Sequence, residues 1–165
     1  MIRTAGPGDV DSILTLVHEL AVYERAPNAV TASATDLREA LFGTDPRVWC
    51  LLAEDAGEIV GFAVWFTSFS TWLGRHGIYL EDLFVRSAAR GRGHGRALIG
   101  ALARIAVERG YGRLEWAVLD WNAPAIGFYR GIGADALAEW TGYRVSGGAL
   151  AALAAGSPAP PSGPL

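Results

Sequence analysis

The chain has 165 residues, a net charge of −3 at pH 7 and a single cysteine, with 51% hydrophobic and 19% charged residues. That length suits one domain with a full-sized core, and the acidic balance provides no whole-molecule field for nucleic acid or an anionic membrane. Cys50 lies in the apolar run Val48–Leu52 and reads as a buried small hydrophobe, so no intrachain disulfide forms. The N-terminus lacks a signal-peptide core. The longest uncharged apolar stretch, Ile59 to Gly74, carries Thr67, Ser68, Ser70 and Thr71 and is too short to span a bilayer. A soluble cytoplasmic protein is expected.

Ile2 to Thr4 reads as a short strand, broken by Gly6-Pro7-Gly8. Asp9 is placed to cap a helix with Val10, Ile13, Leu14, Val17, Leu20 and Ala21 at helical spacing, ending near Tyr23-Glu24 before Pro27-Asn28. A shorter helix carries Leu37, Ala40 and Leu41 and stops at Gly43. Val48–Ala53 and Ile59–Thr67 then read as a hairpin around Asp55–Glu58, and Ile78–Val85 as a third long strand. A glycine loop at 90–95 opens a helix bearing Leu98, Ile99, Leu102, Ile105 and Ala106, with Gly110 as its stop. Leu114–Leu119 reads as a strand and Asn122–Tyr129 as a short helix opened by Asn122 and Pro124. Two short strands are expected near Ala134–Ala138 and Trp140–Val145. The order is β-α-α-β-β-β-α-β-α-β-β: an α/β chain with an antiparallel first half and a crossover helix after the glycine loop. Residues 1–146 form the expected domain. Residues 147–165 are an Ala-, Gly- and Pro-rich extension, with a helical turn or two at Ala149–Ala155 and a disordered tail from Ser157.

The loop Arg90-Gly91-Arg92-Gly93-His94-Gly95-Arg96 joins a strand to a helix, where backbone amides and the helix dipole favour a phosphate. Three arginines strengthen that reading. A P-loop fails for want of a lysine, and a dinucleotide fingerprint fails because its third glycine position is Arg96. His18-Glu19 lacks a second zinc ligand because position 22 is Val22, and no metal is expected.

The loop resembles the acetyl-CoA pyrophosphate loop of the GNAT superfamily of N-acetyltransferases, and the likeness runs further. LVHELAVYE (Leu16 to Glu24), YLEDLFV (Tyr79 to Val85), the loop, and DWNAPAIGFY (Asp120 to Tyr129) fall in the order of one branch. That branch is the spermidine/spermine, or diamine, N-acetyltransferases, including thialysine acetyltransferase-like members. The resemblance implies the GNAT fold, a central mixed sheet flanked by helices with a glycine-loop β-α acetyl-CoA site, and an N-acetyltransferase acting on a small amine. It implies Tyr129 as proton donor to the leaving thiolate and Glu81 as base, with Asp82 holding the amine or a structural partner. It implies that the backbone of Leu83, Phe84 and Val85 leaves its regular ladder to bind the pantetheine arm. Arg90, Gly91, Arg92, Gly93, His94, Gly95 and Arg96 would hold the pyrophosphate, with Asn122 and Pro124 also on the cofactor side. Tyr23, Glu24 and Trp72 would line the amine pocket with Glu81 and Asp82. The branch also implies a homodimer, for which Trp140 and Tyr143 could supply an apolar seam.

The residues alone add that acidic side chains inside an apolar strand are costly unless partnered or functional, and that neighbours such as Glu81 and Asp82 should face opposite ways. The chain departs from the branch at Ser70, where an acidic residue is usual, and after Arg130, where Gly131 and Ile132 replace basic residues. Those changes put spermidine in question as substrate. Two alternatives stand beside a small-amine enzyme: an acetyl-CoA-binding regulatory module without turnover, and an acetyltransferase for a protein amine.

Overall fold

A computed structural model describes residues 1–156; the expected tail beyond lies outside the described residues. The elements in order are β1 (Ile2–Thr4), α1 (Val10–Tyr23), α2 (Ala34–Phe42), β2 (Val48–Asp55), β3 (Glu58–Ser70), β4 (Arg75–Val85), α3 (His94–Glu108), β5 (Leu114–Glu115), α4 (Ala123–Gly131) and α5 (Gly147–Ala154). The chain divides into two compact units, Met1–Ala125 and a second beginning at Ile126.

In the first unit a five-stranded sheet has the order β1-β2-β3-β4-β5. The first four strands pair antiparallel in sequence order, as hairpin-connected strands do, while β5 runs parallel to β4. Parallel neighbours need a crossover, and α3 supplies it. One face carries Cys50, Leu52, Phe62 and Phe84 against Ile13, Leu16 and Leu20 of α1 and Leu41 of α2. The helical spacing of α1 follows from that burial. Leu98, Leu102 and Ala106 of α3 are also buried, and α3 packs on β2, β3 and β4. Burial pushes the Cys50 thiol up to about 12, which suits a packing residue.

Local capping differs from expectation at Asp9. It stands at the α1 N-cap, but its carboxylate makes no cap bond. It accepts instead from the Gly6 amide at 2.7 Å and from the Arg3 guanidinium at 2.7 and 2.8 Å, which lowers it to about 2. The carboxylate is committed to the Arg3 guanidinium and to an amide that precedes the helix rather than to the amides of the α1 first turn. Ser33 and Asp36 form a reciprocal capping box at the start of α2.

The region after α3 carries less strand than its sequence suggests. Only Leu114 and Glu115 of the expected strand at 114–119 pair with β4. The strands expected near Ala134–Ala138 and Trp140–Val145 are not formed. Leu137, Trp140, Tyr143 and Val145 are all exposed there, so no alternate face is buried. A strand without a partner edge has no ladder to hold it. The Ala-rich segment does form α5.

Gly61 shows why β3 and β4 sit as they do. A Cβ there would lie 2.7 Å from the Phe84 carbonyl oxygen and 3.0 Å from Val85 Cγ2. Gly61→Ala should therefore push the end of β4 aside and cost about 1–3 kcal/mol, seen as a lower Tm. Gly8→Ala, where a Cβ meets open space, is the neutral control.

Candidate active site

Strand β4 has two neighbours at its start and one at its end. Ile78 and Tyr79 pair with β5, whereas Leu83, Phe84 and Val85 pair only with Ala63, Phe62 and Gly61 of β3. The three residues expected to leave the sheet thus keep one ladder and lack the other. Their β5-side edge is open to an extended ligand.

A bulge precedes that edge. Val64 pairs with Asp82 and Trp65 with Leu80, so Glu81 has no partner. The extra residue interrupts the strict alternation expected for Glu81 and Asp82. Asp82 shares the register of the Phe62–Phe84 pair and so faces the α1 side, while Glu81 is exposed. Burial, with the charges of Glu81 and Glu24, raises the Asp82 carboxyl to about 6. Partial desolvation at the end of α1 also pushes Glu24 up. Three carboxylates from two distant segments thus act on one place.

Beyond Val85 the loop is built for close approach. Gly91 and Gly93 take φ of 76° and 85°, and Gly93 is the residue before α3. L-residues avoid that left-handed region. His94, Gly95 and Arg96 form the first turn of α3, where the helix dipole favours an anion. Of the loop arginines, Arg92 pairs with Asp55 at 2.5 Å, and His94 Nε2 lies 3.4 Å from the same carboxylate. Asp55 at the end of β2 therefore tethers the loop. No motif in the sequence connects it to residues so far downstream. Glu19 of α1 likewise holds Arg86 at 2.7 Å.

Arg90 is exposed but held by two contacts. Its Nε donates to the Val85 carbonyl at 2.8 Å, and its guanidinium lies 4.4 Å over the Tyr23 ring. The Tyr23 hydroxyl donates to Asn122 Oδ1 at 3.0 Å, and that oxygen also accepts the Ala125 amide at 3.3 Å. Asn122 is buried and opens α4, with Pro124 in its first turn. Trp121 stands 6.1 Å from the Tyr23 ring and carries the Arg25 guanidinium at 4.4 Å. The sequence reading did not single out Trp121 or Arg25. A groove of about 610 Å³ opens beside Tyr23 and Phe84, with His18 and Val22 in its wall.

Trp72 stands apart from this group. It lies in the β3–β4 turn and is 89% exposed. The strand from Arg75 to Asp82 alone spans roughly 23 Å. Ser70 is buried at the same turn, and its hydroxyl accepts the Leu73 amide at 3.2 Å. In the second unit Tyr129 is half-buried on α4 with its ring 5.4 Å from Phe128. Among the described residues no three His, Cys, Asp or Glu side chains gather to hold a metal.

Residues 14–134 match the family model described as Acetyltransferase (GNAT) family. The chain belongs to the GNAT acetyltransferase family. A thialysine N-epsilon-acetyltransferase of Bos taurus is 41% identical over 93% of this chain and 96% of its own. An L-ornithine N5-acetyltransferase of Arabidopsis thaliana is 32% identical over 92% of this chain and 86% of its own. The solved structure of an integron cassette protein from the mobile metagenome of V. cholerae superposes with a TM-score of 0.78 at 32% identity, covering 93% and 96% of the two chains. GNAT enzymes take acetyl-CoA as acetyl donor, and two features here suit it. The left-handed glycines at the N-terminal end of α3 fit a pyrophosphate, and the open β4 edge fits an amide-bearing arm.

The loop geometry is directly testable. Gly93→Ala adds a Cβ in open space, so its effect is the left-handed φ alone. It should cost about 1–2 kcal/mol and weaken acetyl-CoA binding about tenfold, measured by titration calorimetry. Unchanged affinity would remove the loop from the site.

Proposed function

We propose that this GNAT enzyme acetylates a small amine carrying a second positive charge, a diamine or lysine-like amine. The observation that supports this most is the convergence of Glu24, Glu81 and Asp82, where burial first and the two neighbouring charges second raise Asp82 to about 6. Such a pocket attracts a dication, and a carboxylate titrating near neutrality is a serviceable proton acceptor. The names of the relatives, thialysine and ornithine acetyltransferases, point to amines of that class.

In this reading the neutral amine nitrogen attacks the thioester carbonyl carbon. The C–N bond forms and the C–S bond breaks. A backbone N–H of the Leu83–Val85 edge serves the oxyanion. The amine proton passes to the Glu81–Asp82 pair, with Glu81 reaching it from the exposed bulge and Asp82 the member that titrates near neutrality. Tyr129 gives its proton to the departing thiolate. Gly91–Arg96 and Asn122 hold the donor. The distal ammonium rests near Glu24. Trp72 would join such a pocket only from another subunit or for a long acceptor. Exposed Trp140 and Tyr143 support a homodimer seam. We place the enzyme in the cytoplasm on the sequence reading; separately, among the described residues no helix is long and apolar enough to cross a membrane.

The pH profile tests the carboxylate pair. The acceptor must be ionised, so kcat/KM should rise with pH through a limb near 6. Asp82→Asn should abolish the limb. Glu81→Gln should move it to lower pH, because a like charge is removed. Stability carries the matching sign. A carboxyl raised above its ordinary 3.8 disfavours the fold once ionised, so the cost grows as pH climbs from about 4 to about 6. Asp82→Asn should then raise Tm at pH 7 and leave it unchanged at acid pH.

Substrate class is read from kcat/KM for a diamine, a lysine analogue, spermidine and a neutral-tailed monoamine, followed by CoA thiol release. The diamine and lysine analogue should lead. Glu24→Gln should raise KM for the dications more than for the monoamine. Equal performance by the neutral-tailed amine would refute the acidic-pocket reading.

A further inference from the structure

The geometry points to Tyr23 as a positioning residue: we infer that its hydroxyl does not contact the amine but braces the glycine loop to the first turn of α4. The inference rests on the acetyl-transfer reading above and reassigns one residue within it.

Three observations carry it. First, the Tyr23 hydroxyl proton is already given to Asn122 Oδ1 at 3.0 Å. That oxygen has two lone pairs, and the second takes the Ala125 amide at 3.3 Å, so the acceptor is filled and aimed. Asn122 is only 7% exposed, so the accepting amide is largely withdrawn from water, while Tyr23 is half-buried. Second, the Tyr23 ring lies under the Arg90 guanidinium at 4.4 Å, and Arg90 is pinned through Nε to the Val85 carbonyl. A flat guanidinium held over an aromatic face leaves that face unavailable to a substrate ammonium. Third, Arg90 directly precedes Gly91, whose left-handed backbone shapes the loop. One phenol therefore joins the start of the donor loop, the end of α1 and the cap of α4. Loading the loop sets Arg90, Arg90 sets the Tyr23 ring, and the hydroxyl sets Asn122. The helix so capped is the one that bears Tyr129.

The two roles for Tyr23 give different kinetics. A substrate ligand lost to phenylalanine raises the KM of the amine. A brace lost to phenylalanine lowers kcat and spares KM. Tyr23→Phe keeps the ring and the Arg90 stack and removes only the hydroxyl. It should lower kcat about five- to tenfold, the scale of one hydrogen bond, with amine KM within about twofold. Placed in an Asn122→Ala background the same change should lower kcat by less than about twofold, since the acceptor is already gone. Asn122→Asp keeps an acceptor oxygen and should restore the Tyr23→Phe effect, which guards against a merely misfolded Asn122→Ala. A rise in amine KM with kcat unchanged overturns the brace, as does an equal kcat loss in both backgrounds or no loss in either. The small-amine reading fails separately, by absence of wild-type turnover with every amine. In that event the same cycle is read in the acetyl-CoA Kd, where non-additivity supports the brace and additivity overturns it.

Discussion

Beyond Tyr79, strand β4 keeps a partner on one edge and loses it on the other. The main chain there carries N–H and C=O groups that β5 does not satisfy, because β5 pairs only through Leu114 and Glu115. An open edge is a liability in a sheet unless something covers it. In this molecule it is the place where an extended substrate can bond to the backbone. One of its groups, the Val85 carbonyl, already accepts from Arg90. Gly61 makes the arrangement possible from the other side, since no side chain separates β3 from Phe84 and Val85.

The bulge at Glu81 follows from the same strand. An extra residue shifts the register between Val64 and Trp65, so Leu80 and Asp82 serve different faces. Without it, Asp82 would stand in the register of Leu80, on the face away from α1. With it, a carboxylate enters the α1 side of the sheet beside Phe84, where Glu24 closes the first helix. Its raised proton affinity is a consequence of burial first and of like charge second. Asp82 and Glu81 on one side and the arginine-rich loop on the other are separated by one short run of strand, Leu83 to Val85.

The ion pairs around the loop matter for geometry more than for stability. Arg92–Asp55 and Arg86–Glu19 are partly exposed, and such pairs contribute little net energy. They fix where the loop begins and where its second arginine points. Arg90, though exposed, achieves the same through stacking on Tyr23. The three loop arginines, alike in sequence, therefore have different duties. Arg90 holds α1, Arg92 is tied to the β2 end, and Arg96 sits in the first turn of α3.

Much of the fold was legible from local pattern. The apolar spacing of α1 and α3, the hairpin of β2 and β3 and the glycine loop between β4 and α3 each depend on neighbours within a few residues, and each is where the pattern put it. The family was legible too, from four short segments in order. What escaped the pattern depends on residues far apart. The strands expected between 134 and 145 are absent because alternation cannot supply a partner edge. Trp72 reads as a pocket aromatic, yet the length of β4 carries it to the far turn. Alternation sets Glu81 and Asp82 on opposite faces, but only the cross-strand register shows the bulge that turns Asp82 to the α1 side. Tyr23 and Asn122 stand 99 positions apart, and only the packed sheet brings the phenol to the amide. Local preference acts through the backbone of adjacent residues, whereas register, burial and charge clustering exist only once the chain has closed on itself.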